Sequence, residues 1–284
     1  MDDIRAAGYS PTVRKRALAR RLVELRKACG LKTTDVQRQL GWSATKLNWI
    51  EKAKWVEPIT DQVVDLCELY GVEGTDRDAL VTLARESRQR GWWWSKYSDV
   101  FSSELPGFEA GASVIRTFET AFIPGLLQVP SYIELVTRAA AITDPAEVQR
   151  HVDARVARQQ ILTRETSPCH LHAVIDENAI ARITHPGIRR DQLTHLTEAS
   201  GHPNVDIQML PFTAGVYPAA GEVFIYLSFP GSSERDVVYL ESAVDDRALE
   251  EYAELERYRV KFDKLRAAAL SPDETRTYLK QQIG

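Results

Sequence analysis

Long hydrophobic runs are missing from this sequence. No stretch of about 18 apolar residues occurs in the 284-residue chain, which excludes a membrane-spanning helix. Cysteine is scarce. Cys29, Cys67 and Cys169 are widely spaced and odd in number, the pattern of small buried residues in a reducing compartment rather than of a disulfide framework. Met1-Asp2-Asp3-Ile4-Arg5 has acids where a signal peptide needs a basic segment followed by an apolar one, so a cytoplasmic location is expected. No phosphate-cradling glycine loop is found, and Ser232-Ser233 after Gly231 lacks the strained elbow of a hydrolase. His170-Leu171-His172 places two imidazoles on one face of an expected strand, with Asp176 and Glu177 close behind. No third ligand stands at a recognised metal spacing. His185, His195 and His202 are scattered, with no nucleophile beside them. No catalytic residue, metal ligand or cofactor is assigned from the sequence, and no enzymatic activity is expected.

An overall positive charge is missing too. The formal charge of −4 by itself argues against a nucleic-acid partner, but its distribution points the other way. Between Arg14 and Lys54 twelve basic residues face only Glu24, Asp35 and Glu51, a net of +9, which leaves −13 for the rest. One phosphate-binding domain attached to an acidic body has this footprint; a solvated basic helix face is the competing explanation. With 44% apolar and 27% charged residues, the chain reads as folded, and its length suits two domains.

Ser10-Pro11 offers a helix cap followed by proline at the first helical position. Leu18, Leu22, Leu25 and Cys29 then recur at helical spacing until Gly30. Thr33 is the expected cap of a short second helix ending at Leu40-Gly41, and Ser43 of a third, with Leu47 and Ile50 inward. Thr60 is the expected cap of a fourth, and Thr75-Asp76-Arg77-Asp78 marks a fifth. Beyond residue 91 the periodicity mixes. Residues 98–112 read as a loop. Strand-like runs fall at 113–118, 171–175, 205–209, 222–227 and 237–240. Helical patterns fit 126–140, 145–164, 188–199 and 244–269, the last with a stripe of Leu249, Tyr252, Leu255, Tyr258, Phe262 and Leu265. A final helix follows Ser271-Pro272. An all-α five-helix domain over residues 1–90 is therefore expected, followed by an α+β domain over 91–284.

Lys32 to Glu51 has the layout of two short helices joined by a tight glycine turn, the arrangement that projects a second helix into a major groove. On that recognition helix, about residues 43–52, Ala44, Thr45, Asn48 and Trp49 share one side. Thr45 and Asn48 suit hydrogen bonds to bases, and the Ala44 methyl suits a thymine methyl. Ser43 caps the helix, and its dipole favours a nearby phosphate. Lys46, Lys52 and Lys54 are placed for phosphate contacts; Arg38 either joins them or is solvated.

Leu40-Gly41-Trp42-Ser43-Ala44-Thr45-Lys46, followed by Ile50-Glu51 and Pro58, resembles the Xre family of phage-repressor-like helix-turn-helix regulators, in particular its actinobacterial WhiJ-like branch. The resemblance implies a salt bridge between Arg26 and Glu51, a phosphate contact at Thr33, and base-facing positions at Ala44, Thr45 and Trp49. Three residues depart from the pattern. Ala53 replaces the usual glycine after the recognition helix, so a different turn is expected there. Gln37 replaces a small residue at the approach of the second and third helices. Trp49, with one N–H donor and a large apolar face, stands where a polar or basic side chain is usual.

Ile123-Pro124-Gly125-Leu126-Leu127-Gln128, the Arg155-to-Gln159 segment, Leu210-Pro211-Phe212 and Val237-Val238-Tyr239-Leu240-Glu241 are similar to a domain of unknown function that commonly follows such a module. Relatives are often encoded beside a small acidic protein, which implies a heteromeric contact. Trp92, Trp93, Trp94 and Tyr97 form an aromatic cluster that reads as a join between domains or as a partner interface. The expected protein is a sequence-specific DNA-binding transcriptional regulator, binding double-stranded DNA as a homodimer. Its second domain would serve oligomerisation and regulation by a partner protein. Two alternatives stay open: a protein-interaction module with a degenerate helix-turn-helix, and a small-molecule sensor with its ligand in the second domain.

Overall fold

In a computed structural model, residues 10–283 are described except 58, 88–90, 102, 218, 220, 231–233, 243–245 and the side chain of Trp92. Pro58, the expected boundary at residue 90 and Ser232-Ser233 lie outside the described residues. The chain divides into two units, one within Tyr9–Lys96 and the other within Tyr97–Gly231 and Arg235–Gly284.

The first unit contains α1 (Pro11–Ala28), α2 (Thr33–Leu40), α3 (Ala44–Glu51), α4 (Thr60–Tyr70) and α5 (Gly74–Glu86). The Ser10 hydroxyl accepts from the Val13 N–H at 3.4 Å and starts α1. Thr33 and Thr60, expected as caps, are instead the first helical residues, and Lys32 and Ile59 take the cap positions. At α2 a carboxylate does the capping: Asp35 Oδ2 reaches back to the Lys32 N–H at 2.9 Å, so no hydroxyl is needed. Leu18, Leu22, Val36, Leu47, Ile50, Val63 and Leu66 are wholly buried in one core. Burying each such side chain is worth about 1.5–3 kcal/mol, and together they hold α3 against the other helices.

After α6 (Trp92–Tyr97) the second unit begins with α7 (Leu105–Gly111), inside the segment expected to be a loop. Leu105 to Glu109 and Gly111 are all buried in α7, so the helix shows no polar face, and Pro106, Gly107 and Gly111 hide it further in the sequence. A six-stranded sheet follows in the order β3-β2-β1-β4-β5-β6. Its strands are β1 (Val114–Glu119), β2 (His170–Asp176), β3 (Val205–Leu210), β4 (Phe224–Ser228), β5 (Val237–Leu240) and β6 (Arg247–Leu249). The pairs β1–β2 and β2–β3 are parallel, and those joining β1, β4, β5 and β6 are antiparallel.

Between β1 and β2 run α8 (Pro130–Ala139) and α9 (Pro145–Gln159). Between β2 and β3 lie α10 (Glu177–Ala181) and α11 (Pro186–Ala199). The helix expected over 244–269 is shorter: α12 (Tyr252–Ala268), preceded by β6. Three residues are too few to display strand alternation, so β6 is defined by its pairing with β5. The chain continues into α13 (Pro272–Ile283).

Strand alternation divides β1 between two sheet faces. Phe118 joins Val174, Phe224, Tyr226 and Val238 beneath Tyr258, Phe262 and Leu265 of α12. Tyr252, from the same sequence stripe, is 80% exposed. Ile115, Thr117 and Glu119 point to the opposite face, toward α7, α9 and the turn after β1.

Candidate nucleic-acid interface

Gly41 makes the turn between α2 and α3 possible. It adopts φ 66° and ψ 26°, the left-handed region open to glycine without a Cβ penalty, and the Trp42 N–H closes the turn on the Gln37 carbonyl at 2.9 Å. Ser43 then caps α3, its hydroxyl accepting from the Lys46 N–H at 3.2 Å. Leu47 and Ile50 are buried, whereas Ser43, Ala44, Thr45, Asn48 and Trp49 are exposed on the first unit. Trp49 is 41% exposed. The side chains expected to contact bases thus share the solvent-facing side of a helix fixed from behind.

Arg26 provides much of that fixation. Its Nε donates to Glu51 Oε1 at 2.6 Å, its Nη2 to Glu51 Oε2 at 3.0 Å, and its Nη1 to the Leu31 carbonyl at 2.9 Å. One planar guanidinium thereby ties the end of α1 to α3 and to the intervening loop, with geometry suited to a bidentate carboxylate. The hydrogen bond that Arg26 donates to Glu51 outweighs burial and raises the Arg26 pKa.

Thr33, at the first turn of α2, is exposed, as are Lys52 and Lys54 beyond α3. Lys46 is arranged differently from a freely extended phosphate contact: its Nζ lies 4.2 Å from the centroid of the Trp42 ring. The four-residue spacing of Trp42 and Lys46 could have signalled this contact. A second stack, Lys15 over Trp55 at 5.2 Å, joins residues forty positions apart and has no local signal. Ala53 keeps the left-handed turn, φ 53°, instead of the different conformation expected from the missing glycine. Buried Ile50 and Trp55 on either side hold it in place.

In the aromatic cluster, Trp93 is 7% exposed and Trp94 47% exposed. Tyr97 meets the Phe101 ring edge-on at 6.3 Å. These residues therefore do not form one uniform surface. At the histidine pair, His172 Nδ1 lies 2.9 Å from Asp206 Oδ2. Burial lowers the His172 pKa although Asp206 opposes it. Among the described residues no group of three or more His, Cys, Asp or Glu could hold a metal ion, and no helix is long and apolar enough to cross a membrane.

Residues 17–80 match a helix-turn-helix domain, a span that contains α2, the Gly41 turn and α3. Residues 102–281 match a domain of unknown function (DUF5753), a span that contains all six strands. No curated protein and no solved structure matches the chain. The chain belongs to the DUF5753 family and carries a helix-turn-helix DNA-binding domain ahead of its α+β domain.

Proposed function

We propose that this chain is a sequence-specific transcriptional regulator of the Xre type, in its WhiJ-like branch, acting in the cytoplasm as a homodimer. One observation carries the reading. Ser43-capped α3 presents Ala44, Thr45, Asn48 and Trp49 to solvent, while Leu47, Ile50 and the Arg26–Glu51 pair anchor it.

Thr45 and Asn48 hydrogen-bond base edges in the major groove, and Ala44 and Trp49 supply apolar contact, including to thymine methyls. Ser43 and Thr33 sit against phosphates at the two helix starts. Lys52, Lys54 and Lys46 neutralise the backbone, Lys46 by turning off the Trp42 ring. Two copies of α3 in a dimer read half-sites about 34 Å apart. The DUF5753 domain supplies assembly and regulation through a partner protein, and the activity is binding rather than catalysis.

The test is binding of the full chain to the promoter of its own gene, measured by gel shift at several salt concentrations. Thr45→Ala or Lys46→Ala weakens specific binding about tenfold, the discrimination expected of one lost polar contact. Undiminished binding by both variants overturns the assignment of α3.

A further inference from the structure

Three segments that carry the resemblance in the second domain converge on one cavity. Its volume is ≈ 220 Å³, far beyond the ~15 Å³ that a single water requires. One wall is the sheet face bearing Ile115, Thr117 and Ile225. The others are α7, α9 and the turn from Ile123 to Gln128. Side-chain amides secure that turn. Gln128 Nε2 donates to the Ile123 carbonyl at 2.7 Å, and Gln192 Nε2 to the Leu127 carbonyl at 2.7 Å. Gln159 Nε2 donates to the carbonyls of Gly125 and Gln128 at 3.2 and 2.7 Å. A wall tied at four carbonyls is pre-organised.

Five charged side chains line this space: Glu109, Glu119, Glu241, Arg155 and Arg158. Glu109 and Arg158 satisfy one another through a fork, Nε to Oε2 at 2.8 Å and Nη2 to Oε1 at 2.7 Å. Arg155 lines the same space and feels the charge of Glu241. Burial, and then neighbouring Glu241, push the Glu119 pKa up to about 8. Desolvation of the carboxyl raises Glu241 as well, although Arg158 opposes it, while the residue keeps an exposed side. Arg155 Nη1 is buried without a hydrogen-bond partner, and so is Gln128 Oε1, on a side chain 5% exposed. Such groups are ordinarily satisfied.

The cavity therefore offers one unused donor, at Arg155, one unused acceptor, at Gln128, and two further carboxyls, Glu119 and Glu241. Phe122, Leu126, Val136 and Leu171 make much of the remaining lining apolar. A dianion such as phosphate conflicts with these carboxyls, and a purely apolar guest leaves Arg155 Nη1 and Gln128 Oε1 unsatisfied. We propose that this cavity binds an apolar α-amino acid or a small derivative that keeps the ammonium group. The ammonium lies against Glu241 and Glu119, Glu119 releasing its proton to solvent as the cation arrives, a carboxylate or carbonyl oxygen accepts from Arg155, and the side chain packs on the apolar wall. The site stands independently of the DNA reading, since every residue belongs to the second unit.

The full chain near neutral pH is titrated with L-valine, L-leucine and L-phenylalanine at millimolar concentration, by calorimetry and by melting. Two truncated analogues of leucine accompany them: isoamylamine, without the carboxylate, and 4-methylpentanoate, without the ammonium. At least one amino acid raises the melting temperature by about 3 °C at ten times its Kd. Isoamylamine binds about tenfold more weakly, and 4-methylpentanoate gives no shift. Glu119→Gln and Arg155→Gln each reduce affinity for that amino acid about tenfold; Glu241→Gln serves where either variant does not fold. Absence of a shift with all three amino acids overturns the proposal, as does binding of 4-methylpentanoate equal to that of leucine.

Discussion

Ala53 sits in the left-handed region at φ 53° while 7% exposed. That conformation costs an L-residue about 1–2 kcal/mol, yet its methyl contributes about 0.8 kcal/mol of burial, and alanine also restricts the unfolded chain. These effects nearly cancel, so Ala53→Gly leaves stability within about 1 kcal/mol. Ala53→Val places a β-branched side chain where φ is positive and costs more than about 2 kcal/mol. Urea unfolding of both variants checks the contrast. Glu119 makes a second residue-scale prediction. Its pKa in the fold is about 8 against an ordinary 4.5, so the folded state binds the extra proton between those values. The associated stability is complete below about pH 4.5 and is lost as pH rises through about 8. Melting temperature consequently falls by several degrees between about pH 6 and 9. Glu119→Gln, which cannot ionise, flattens that fall.

At the scale of elements, α3 is held by a side-chain pair as much as by its own short sequence. Arg26 and Glu51 are 11% and 12% exposed, so removing one partner strands a largely buried charge. Arg26→Ala is expected to destabilise the first unit by about 3 kcal/mol. The Arg26→Met, Glu51→Leu double variant loses less than half as much, because no unpaired charge remains; chemical denaturation of the three proteins measures the difference. Helices with strong local grammar were legible: Ser10-Pro11 opens α1, Gly41 and Ser43 bracket the turn into α3, and the 3.6-residue spacing of Tyr258, Phe262 and Leu265 marks α12. Elements lacking such grammar were not. In α7 glycine and proline mask the helix, β6 has only three residues, and α2 takes its cap from Asp35 rather than Thr33.

For the molecule as a whole, the asymmetry of charge governs how it meets DNA. With the basic excess confined to residues 14–54, binding through that unit is expected to release counterions from the DNA, and affinity should fall steeply with salt. Lys52→Ala should weaken binding to all sequences alike and reduce the slope of log K against log salt by about 1. A salt titration of wild type and variant reads that change directly. The sequence alone determined the helix-turn-helix, its exposed face and the two-part organisation, because caps, glycine turns and helical spacing act over a few residues. It also contained the segments around Gln128, Arg155 and Glu241. Only the tertiary structure decided that they share a cavity, since strand register and the packing of α7 and α9 bring together charges more than a hundred positions apart.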